Sequence, residues 1–303
     1  YFQYPTQPVG TAQFSITVDG ASTTRGLRGG NGSGGPYNWN LMPLVPGAGT
    51  TEQERQAIGA LTADIGVALG ARYTSGGSST CMSAESLMSV FKFANVIVGS
   101  SMDQFADAVH PNLDAGLPVA ASIVGAAGGH VVVCDGYGYN LSTLYHHLNM
   151  GWGGAKDAWY NLPNVKTDWY DFTNVVAFSY NIFPNGVGEV VSGRVTDVNS
   201  APLPLATVQV VGGGRSYTTL TDGRGIYAFS QLPSGTSFTV NVTKEGLLFR
   251  PSTVATGRSQ SSGSIGNKWG VNLSAITSPS VTFISPSPYA QVADRPVAVS
   301  GIA

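Results

Sequence analysis

Residues 51–73 carry apolar side chains every three or four positions, a spacing that predicts an amphipathic helix. The segment opens with Thr51-Glu52-Gln53-Glu54, which has the form of a capping box. In that motif the Thr hydroxyl and the second Glu carboxylate each satisfy a backbone N–H group at the start of the helix. The stripe that we expect to be buried consists of Ile58, Leu61, Ile65 and Leu69.

Two shorter helices are predicted further along the chain. The first spans residues 83–94, and the second starts near Ser101 and buries Phe105 and Val109. Proline lacks a backbone N–H group, so Pro111 should end or kink the second helix. The buried face of the first consists of Leu87, Val90, Phe91 and Ala94.

From Leu117 onward the helical spacing gives way to short runs of Val, Ile and aromatic residues that are separated by Gly or Asn, which predicts strands. Helices that come before strands, without alternation, are typical of an α+β domain with an antiparallel sheet. We expect this domain to cover residues 1–184. Its predicted strands are Pro118–Val124, His130–Tyr137, Leu144–Gly151, Ala158–Leu162 and Val175–Tyr180.

Residues 189–275 show no helical spacing and place turn residues every 8–12 positions, which predicts an all-β sandwich. A linker, Thr277-Ser278-Pro279-Ser280, follows. Val281-Thr282-Phe283-Ile284 then begins a further strand, so residues 276–303 are expected to be a linker and the start of another β domain. The predicted sandwich strands are Glu189–Asp197, Ala206–Val211, Ser216–Thr221, Ile226–Phe229, Ser237–Val242 and Trp269–Leu273.

Composition narrows the function classes. Charged residues are 11% of the 303 and the formal net charge is −2, which argues against nucleic-acid binding because that function requires a basic surface. No apolar run reaches the roughly 18 residues of a membrane helix. The glycine-rich stretch Gly29–Gly35 lacks the Gly-Lys-Ser/Thr of a phosphate-binding loop, and we predict no cofactor.

The strongest chemical signal is a predicted β-hairpin formed by residues 128–154. With a turn at Gly138-Tyr139-Asn140, the pairing places His130 opposite Asn149, about 5 Å away between Cβ atoms. An amide oxygen at that place accepts a ring N–H and fixes the tautomer of a catalytic His. Gly128 and Gly129 would let another chain approach the ring closely.

Other readings of the hairpin stay open. His130, Cys134 and His147 would share one face and could ligate zinc, but the chain has no CxxC or HExxH motif, so we predict no metal site. Cys81 lies near a predicted helix start, where a thiol pKa is lowered, and is the alternative nucleophile; its plainer interpretation is a small buried residue, as for Cys134. His110 and His146 are read as surface or packing residues.

Several blocks of residues 1–182 occur in the order of the streptopain-like cysteine peptidases, which this region resembles. The resemblance implies a papain-like fold and hydrolysis of peptide bonds by a Cys–His pair. It also implies that His130 is the catalytic His, that Asn149 orients it, and that Trp152 shields the pair. The blocks are Tyr37-Asn38-Trp39-Asn40, Ala63-Asp64-Ile65-Gly66-Val67, Gly76-Gly77-Ser78-Ser79, Leu117-Pro118-Val119, Gly128-Gly129-His130 and Asn149-Met150-Gly151-Trp152-Gly153-Gly154.

The chain departs from the family pattern at two places. Met150 stands where the family has a Trp, and the family's nucleophilic Cys is absent. In the family that Cys precedes a segment like Tyr1-Phe2-Gln3-Tyr4-Pro5. We therefore expect the chain to begin just after its nucleophile. The resemblance further implies a protein or peptide substrate, an inhibitory propeptide upstream and a secreted or cell-surface bacterial protein.

Residues 189–275 resemble carboxypeptidase regulatory-like sandwiches, which implies a spacer or binding module. The motifs are Ser192-Gly193-Arg194-Val195-Thr196-Asp197, Pro204-Leu205-Ala206-Thr207-Val208, Thr221-Asp222-Gly223-Arg224-Gly225-Ile226-Tyr227-Ala228-Phe229 and Leu232-Pro233-Ser234-Gly235. Asp222 could ligate calcium, but we interpret it as a turn residue. Tyr227 and Phe229 should point inward. Residues 278–303 resemble the start of a bacterial immunoglobulin-like domain. The alternative function is a non-catalytic surface or adhesion protein with a relic peptidase domain, whose sandwiches contact proteins or carbohydrates.

Overall fold

The computed structural model describes residues 2–261 and 263–277, and the backbone of residues 282–285 and 300–302. The chain forms two compact units, each built from three separate segments. The first contains Tyr1–Ser192, Ala228–Ser237 and Val254–Gly270; the second contains Gly193–Tyr227, Phe238–Thr253 and Val271–Ala303. The domain limits 1–184, 189–275 and 276–303 stay predictions.

A four-stranded sheet and the longest helix form one part of the first unit. The sheet has the order β2-β1-β3-β4, in which β1 pairs with β2 antiparallel and with β3 parallel. The sequence did not reveal these strands, because they are short and rich in Ser, Thr and Gly. Their bounds are β1 Gln13–Val18, β2 Ala21–Gly26, β3 Arg72–Thr74 and β4 Gly77–Ser79, and the helix is α1 Glu52–Ala68.

The start of α1 confirms the predicted capping box. The hydroxyl of Thr51 accepts a hydrogen bond from the Glu54 N–H at 3.3 Å, and the Glu54 carboxylate accepts one from the Thr51 N–H at 2.7 Å. The helix ends at Ala68, before the expected limit, and Gly70 follows at φ +60°. That conformation suits glycine and stops a helix.

The predicted buried stripe of α1 is wrong. Ile58, Leu61 and Leu69 are only half-buried, and Ile65 is 37% exposed. Small side chains let this face of the helix approach its neighbours closely, and the face also carries one acidic residue. The buried residues are Ala57, Ala60, Asp64, Gly66, Val67 and Ala68.

The first of the other two helices is shorter than predicted, and the second begins later. Helix α2 spans Ala84–Ser89, and Ser83 caps it by accepting the Ser86 N–H at 3.1 Å. Helix α3 spans Phe105–Asp114 and follows a 3-10 turn, Met102–Gln104. Pro111 lies inside α3, so of the two expected outcomes, an end or a kink, the end is wrong. The buried side chains of this helix, Phe105 and Val109 among them, hold the last turn in place.

The second part of the first unit is a seven-stranded sheet with the order β10-β11-β6-β7-β8-β9, and β5 pairs with β11. Every pairing in it is antiparallel, which confirms the α+β class. Helix α3 contributes Phe105, Ala108 and Val109 to the same hydrophobic core. The strands are β5 Asn95–Gly99, β6 Val119–Gly125, β7 Gly128–Asn140, β8 Thr143–Asn149, β9 Ala158–Tyr160, β10 Val165–Lys166 and β11 Asp171–Phe183.

A buried network of three asparagine side chains joins α3, β11 and residue 267 within the first unit. Asn181 donates to Asn267 Oδ1 at 3.0 Å, and Asn112 and Asn267 both donate to Asn181 Oδ1 at 2.9 Å. Asn267 Oδ1 also accepts the Val190 N–H at 2.8 Å. The segment around residue 267 is therefore an integral part of this unit.

The remaining strands confirm the all-β sandwich. Two four-stranded sheets have the orders β15-β12-β19-β17 and β14-β13-β16-β18. The strand Leu273–Ile276 begins at the residue where the predicted strand, Trp269–Leu273, was expected to end. The strands are β12 Glu189–Thr196, β13 Thr207–Gly212, β14 Arg215–Leu220, β15 Ile226–Leu232, β16 Ser237–Thr243, β17 Leu248–Phe249, β18 Ser252–Ala255 and β19 Leu273–Ile276.

Asp222 is a turn residue, because its Oδ1 accepts the N–H groups of Arg224 and Ile226, both at 2.8 Å. Tyr227 and Phe229 are buried, as their alternation predicts. The predicted linker residues 278–280 lie outside the described part of the chain. Beyond them a strand runs over Thr282–Ser285 and pairs with Ser300–Ile302.

Candidate active site

His130 lies near the start of β7, on the strand face that also carries the buried side chains of Val132 and Cys134. Its imidazole is half-buried and stacks on the indole of Trp152, with ring centroids 4.8 Å apart and planes at 27°. A second ring, Phe172 at the start of β11, lies 6.2 Å away at 23°. The sheet and two aromatic rings therefore fix the position of this imidazole.

The hydrogen bond of the ring sets its tautomer. His130 Nε2 lies 2.7 Å from the carbonyl oxygen of Met150. A carbonyl oxygen only accepts hydrogen bonds, so Nε2 carries the proton in the neutral ring and Nδ1 carries the lone pair. A neutral imidazole held in this way can take a proton at Nδ1, as a general base does.

The predicted register of the hairpin is wrong. Asn149 pairs with Val133 and not with His130, and its side chain is exposed. The turn lies at residues 141–142, with Leu141 at φ +54°, and a β-bulge between Cys134 and Gly136 shifts the register back by only one residue. The carbonyl of Met150 therefore occupies the acceptor place that the sequence assigned to the Asn149 amide.

Asn149 acts on this geometry through the backbone. Its Oδ1 accepts the Gly151 N–H at 2.9 Å, and Asp157 Oδ1 accepts the Met150 N–H at 2.8 Å. These two bonds flank the Met150 carbonyl and hold it toward the ring. The Met150 side chain is fully buried, so the residue at this position packs in the core and leaves the imidazole face to Trp152.

Two further aromatic residues contact Trp152, and the sequence analysis missed both. Trp169 lies 5.4 Å and Tyr170 lies 5.7 Å from Trp152, centroid to centroid. Both belong to the turn between β10 and β11. A Trp-Tyr pair in a polar turn is the signal that could have drawn attention to them, because large rings in turns are otherwise costly to expose.

The remaining cysteine and histidine candidates lie outside this cluster. Cys134 is fully buried, and burial raises the pKa of its thiol to about 12, so it is not a thiolate near neutral pH. Cys81 is exposed and follows β4 of the four-stranded sheet. Neither forms a disulfide.

The three residues of the alternative metal reading do not share a face. The bulge pairs Cys134 with the buried Leu148 but pairs Gly136 with His147, so Cys134 and His147 lie on opposite sides of the sheet. His147 Nδ1 instead contacts Asp135 Oδ1 at 2.6 Å. In the described part of the chain, His, Cys, Asp and Glu side chains form no group of three that could hold a metal ion.

His110 and His146 form a separate buried pair, with their Nε2 atoms 2.9 Å apart. Of the two interpretations that the sequence left open, surface or packing, the buried positions of these residues confirm packing. Burial lowers the pKa of His110 to about 3 and that of His146 to about 4. Both rings are therefore neutral at neutral pH, and the Nδ1 atom of each has no hydrogen-bond partner among the residues that the structure describes.

Two regions of the chain match known protein families. Residues 1–160 match the family described as Peptidase C10, and residues 190–262 match the carboxypeptidase regulatory-like domain. Streptopain from Streptococcus pyogenes serotype M28 (strain MGAS6180) is 30% identical over 139 residues, which are 43% of this chain and 34% of that protein. Streptopain from serotype M1 gives the same figures. The match thus spans about a third of the length of these relatives.

Solved structures are also similar, and one of them is that of interpain A, a cysteine protease of Prevotella intermedia, with a TM-score of 0.49 and 23% sequence identity. The alignment covers 59% of this chain and 76% of that one. No described helix of the present chain has the length and apolar character needed to cross a membrane.

Proposed function

Because the chain belongs to the Peptidase C10 family, whose model matches residues 1–160 of 303, we propose that it is the histidine-bearing part of a secreted bacterial cysteine endopeptidase. The proposed reaction is hydrolysis of peptide bonds in proteins through a Cys–His pair. His130, Asn149 and Trp152 all lie within the matched residues. The observation that carries the proposal is the His130 ring, whose Nε2 is bonded to the Met150 carbonyl and whose Nδ1 lone pair is left for a thiol.

In this mechanism a thiol from a segment upstream of Tyr1 gives its proton to His130 Nδ1, and the resulting thiolate attacks the scissile carbonyl. The imidazolium returns the proton to the leaving amine, and an acyl-enzyme forms. His130 then takes a proton from water, whose oxygen attacks the acyl group and releases the acid and the thiol. Throughout, the Met150 carbonyl oxygen accepts a hydrogen bond from the Nε2–H group and stabilises the imidazolium.

The other two proposed site residues have supporting roles. Asn149 is a positioning residue that holds the Met150 peptide by accepting the Gly151 N–H. Trp152 covers one face of the imidazole and limits the access of water to it. An inhibitory propeptide upstream and contact of the sandwich with a surface also belong to the proposal.

The test uses the full-length gene product with casein as substrate and a thiol-reactive inhibitor. We expect inhibitor-sensitive cleavage in the wild type and its loss in His130→Ala. His147→Ala is the matched control, because it removes a half-exposed imidazole on the same hairpin. Cleavage that survives His130→Ala would overturn the assignment, and so would cleavage lost in Cys81→Ser, since the nucleophile would then be Cys81.

The competing function, a non-catalytic surface protein, gains support from the carboxypeptidase regulatory-like region alone. The upstream sequence separates the two functions. A Cys about eleven residues before Tyr1 supports the peptidase, and a Ser, Ala or Gly there supports the non-catalytic protein. Recovery of the protein from culture supernatant, with sequencing of its N-terminus, tests secretion and propeptide removal together.

A further inference from the structure

The turn that joins β10 to β11 presents two large aromatic rings beside the candidate catalytic His. Trp169 is 54% exposed and Tyr170 is 46% exposed. Tyr170 contacts both Trp152 and Phe172, with centroid distances of 5.7 and 6.0 Å. Since those two rings also stack on His130, the imidazole and three aromatic rings form a closed cycle, and Trp169 extends it outward from Trp152.

This turn is ordered by its own hydrogen bonds. The Thr167 hydroxyl accepts the N–H groups of Trp169 at 3.1 Å and Tyr170 at 2.8 Å, and the Thr167 N–H donates to the Tyr170 carbonyl at 2.9 Å. The rings are thus mounted on a short, closed turn. Little conformational entropy would be lost if a ligand packed against them.

A cation also contacts the ring of Trp169. Lys156 Nζ lies 4.8 Å from the centre of the Trp169 ring and 2.6 Å from Asp168 Oδ1. The hydrogen bond and the charge of Lys156 lower the pKa of Asp168, which keeps that carboxylate ionised and paired. Lys156 lies over one face of the ring and its charge is balanced by Asp168, so the Trp169 ring lies beside no net charge.

We propose that Trp169 and Tyr170 bind a bulky apolar side chain of the peptide substrate, close to the bond that is cut. The inference rests on the proposed function, which places a peptide at His130. Peptide side chains next to a bond held at His130 come within reach of Trp169 and Tyr170, whose rings contact Trp152, which in turn stacks on the imidazole. Rings that are half-exposed, pre-ordered and free of net charge favour aliphatic and aromatic side chains over charged or small ones.

The kinetic test uses the full-length peptidase and a peptide series in which the residues flanking the cleaved bond are varied among Phe, Leu, Ala and Asp. We expect Trp169→Ala and Tyr170→Ala each to lower kcat/KM about 5- to 10-fold for the Phe and Leu peptides, chiefly through KM. The Ala peptides should change less than about twofold, because they make little use of the rings. Trp169→Phe should restore most of the loss.

Trp159→Ala is the matched control. Trp159 is 53% exposed, and its ring lies against Gly136 and Gly138, at least six residues along β7 from His130, roughly 20 Å away. Its removal should leave all peptides unchanged. An equal loss for every peptide in the Trp169 and Tyr170 variants, or no loss, would overturn the proposal. Thermal unfolding of each variant separates a folding defect from a binding defect.

A binding measurement keeps this inference separate from the proposed function. The 303-residue chain is titrated with the same peptides by calorimetry. We expect the Phe and Leu peptides to bind more tightly than the Ala peptide, and Trp169→Ala to remove that preference. If the preference is absent, the inference fails even where His130→Ala abolishes cleavage; if it is present while cleavage survives His130→Ala, the proposed catalytic role fails and the binding site stands.

Discussion

The imidazole of His130 is held by the backbone of Met150, through a 2.7 Å contact between Nε2 and the carbonyl oxygen. The N–H group of the same residue is bound by Asp157. A side chain that never touches the imidazole thus sets the direction of the carbonyl that orients it. In a Cys–His mechanism such an arrangement should be visible in the kinetics.

Asp157→Ala is expected to lower kcat about 10-fold or more with little change in KM, because the Met150 peptide is freed while the substrate-binding surface is retained. Asp157→Asn keeps an oxygen acceptor and should recover most of the activity. The pH profile of kcat/KM should shift in the Ala variant only, since the imidazolium loses a fixed acceptor. Equal activity in both variants, or a loss confined to KM, contradicts a positioning role.

Asp64 is the anchor of the glycine-rich loop. This fully buried side chain accepts the N–H groups of Arg28 at 2.7 Å and Gly29 at 2.8 Å, and the Tyr37 hydroxyl at 2.7 Å. Burial and the contact with Asp64 raise the pKa of Tyr37, so the phenol stays protonated as a donor. Asp64→Ala should therefore lower the free energy of unfolding by about 3 kcal/mol or more, because it leaves three donors without a partner.

The companion change Tyr37→Phe should cost only about 1 kcal/mol, since the carboxylate keeps its two backbone donors. Tyr139→Phe, at an exposed tyrosine, is the control and should cost close to nothing. Urea unfolding followed by tryptophan fluorescence measures all three variants. A loss for Asp64→Ala no larger than that for Tyr37→Phe would show that the backbone donors find other partners.

The pair His110 and His146 predicts loss of stability in acid. The folded-state pKa values, about 3 and about 4, lie below the value of about 6.5 for an unfolded His. Between those limits the unfolded chain binds up to two more protons than the folded chain. The stabilisation is therefore fully present above about pH 6.5. Below that pH the free energy of unfolding falls by up to about 2.7 kcal/mol per pH unit.

The described rings that pack against this pair are uncharged. Tyr137 stacks on His110 at 4.1 Å and donates its hydroxyl to Asp114, while Trp269 and Phe105 pack edge-on against His110 and His146. Urea unfolding between pH 7.5 and 4.5 measures the slope. The double variant His110→Gln/His146→Gln keeps polar partners without titrating and should flatten it, whereas His147→Gln should not. A slope that persists in the double variant would assign the acid sensitivity to other groups.

The hydrogen bonds of Asn267 predict that the stability of the first unit depends on residues far beyond residue 160, where the Peptidase C10 match ends. Asn267→Ala should lower the stability of this unit by about 3 kcal/mol, because the Val190 N–H and the Asn181 amide lose a buried acceptor. Hydrogen exchange of α3 and β11 amides reports this unit specifically. Asn272→Ala removes an exposed asparagine that accepts one backbone N–H, and it should leave that exchange unchanged. Unchanged exchange in Asn267→Ala would mean that the network adds nothing to the unit.

Local sequence signals were reliable where the determining contacts are also local. The capping box at Thr51 needs only residues three positions apart, and the turn at Asp222 only residues two and four apart. The face of α1 was predicted incorrectly because what buries it is distant: Asp64 takes its donors from residues 27 to 36 positions away. Hydrophobicity alone therefore selected the wrong stripe.

The structure brings His130 and Trp152 into contact, but the predicted register of the hairpin is wrong, and the catalytic roles of these residues stay predictions. A bulge at Asp135 and a turn with Leu141 at positive φ carry no sequence signature of their kind, since such turns favour Asn or Gly. Trp169 and Tyr170 were missed because their contact with Trp152 spans 17 and 18 residues and depends on the return of β11 along β6. Strand pairing of this kind follows from the whole sheet and not from a motif.

Strand β11 begins at Asp171, eleven residues after the Peptidase C10 match ends, and yet it pairs with β5, β6 and β10. A protein shortened to residues 1–160 would leave one side of β6 with unpaired N–H and C=O groups. The strand thus uncovered carries Val119, Ala121 and Ile123, which are fully buried in the intact sheet. A long apolar edge is a template for pairing between molecules. Truncating the protein at residue 160, where the Peptidase C10 match ends, would therefore favour aggregation over a soluble domain.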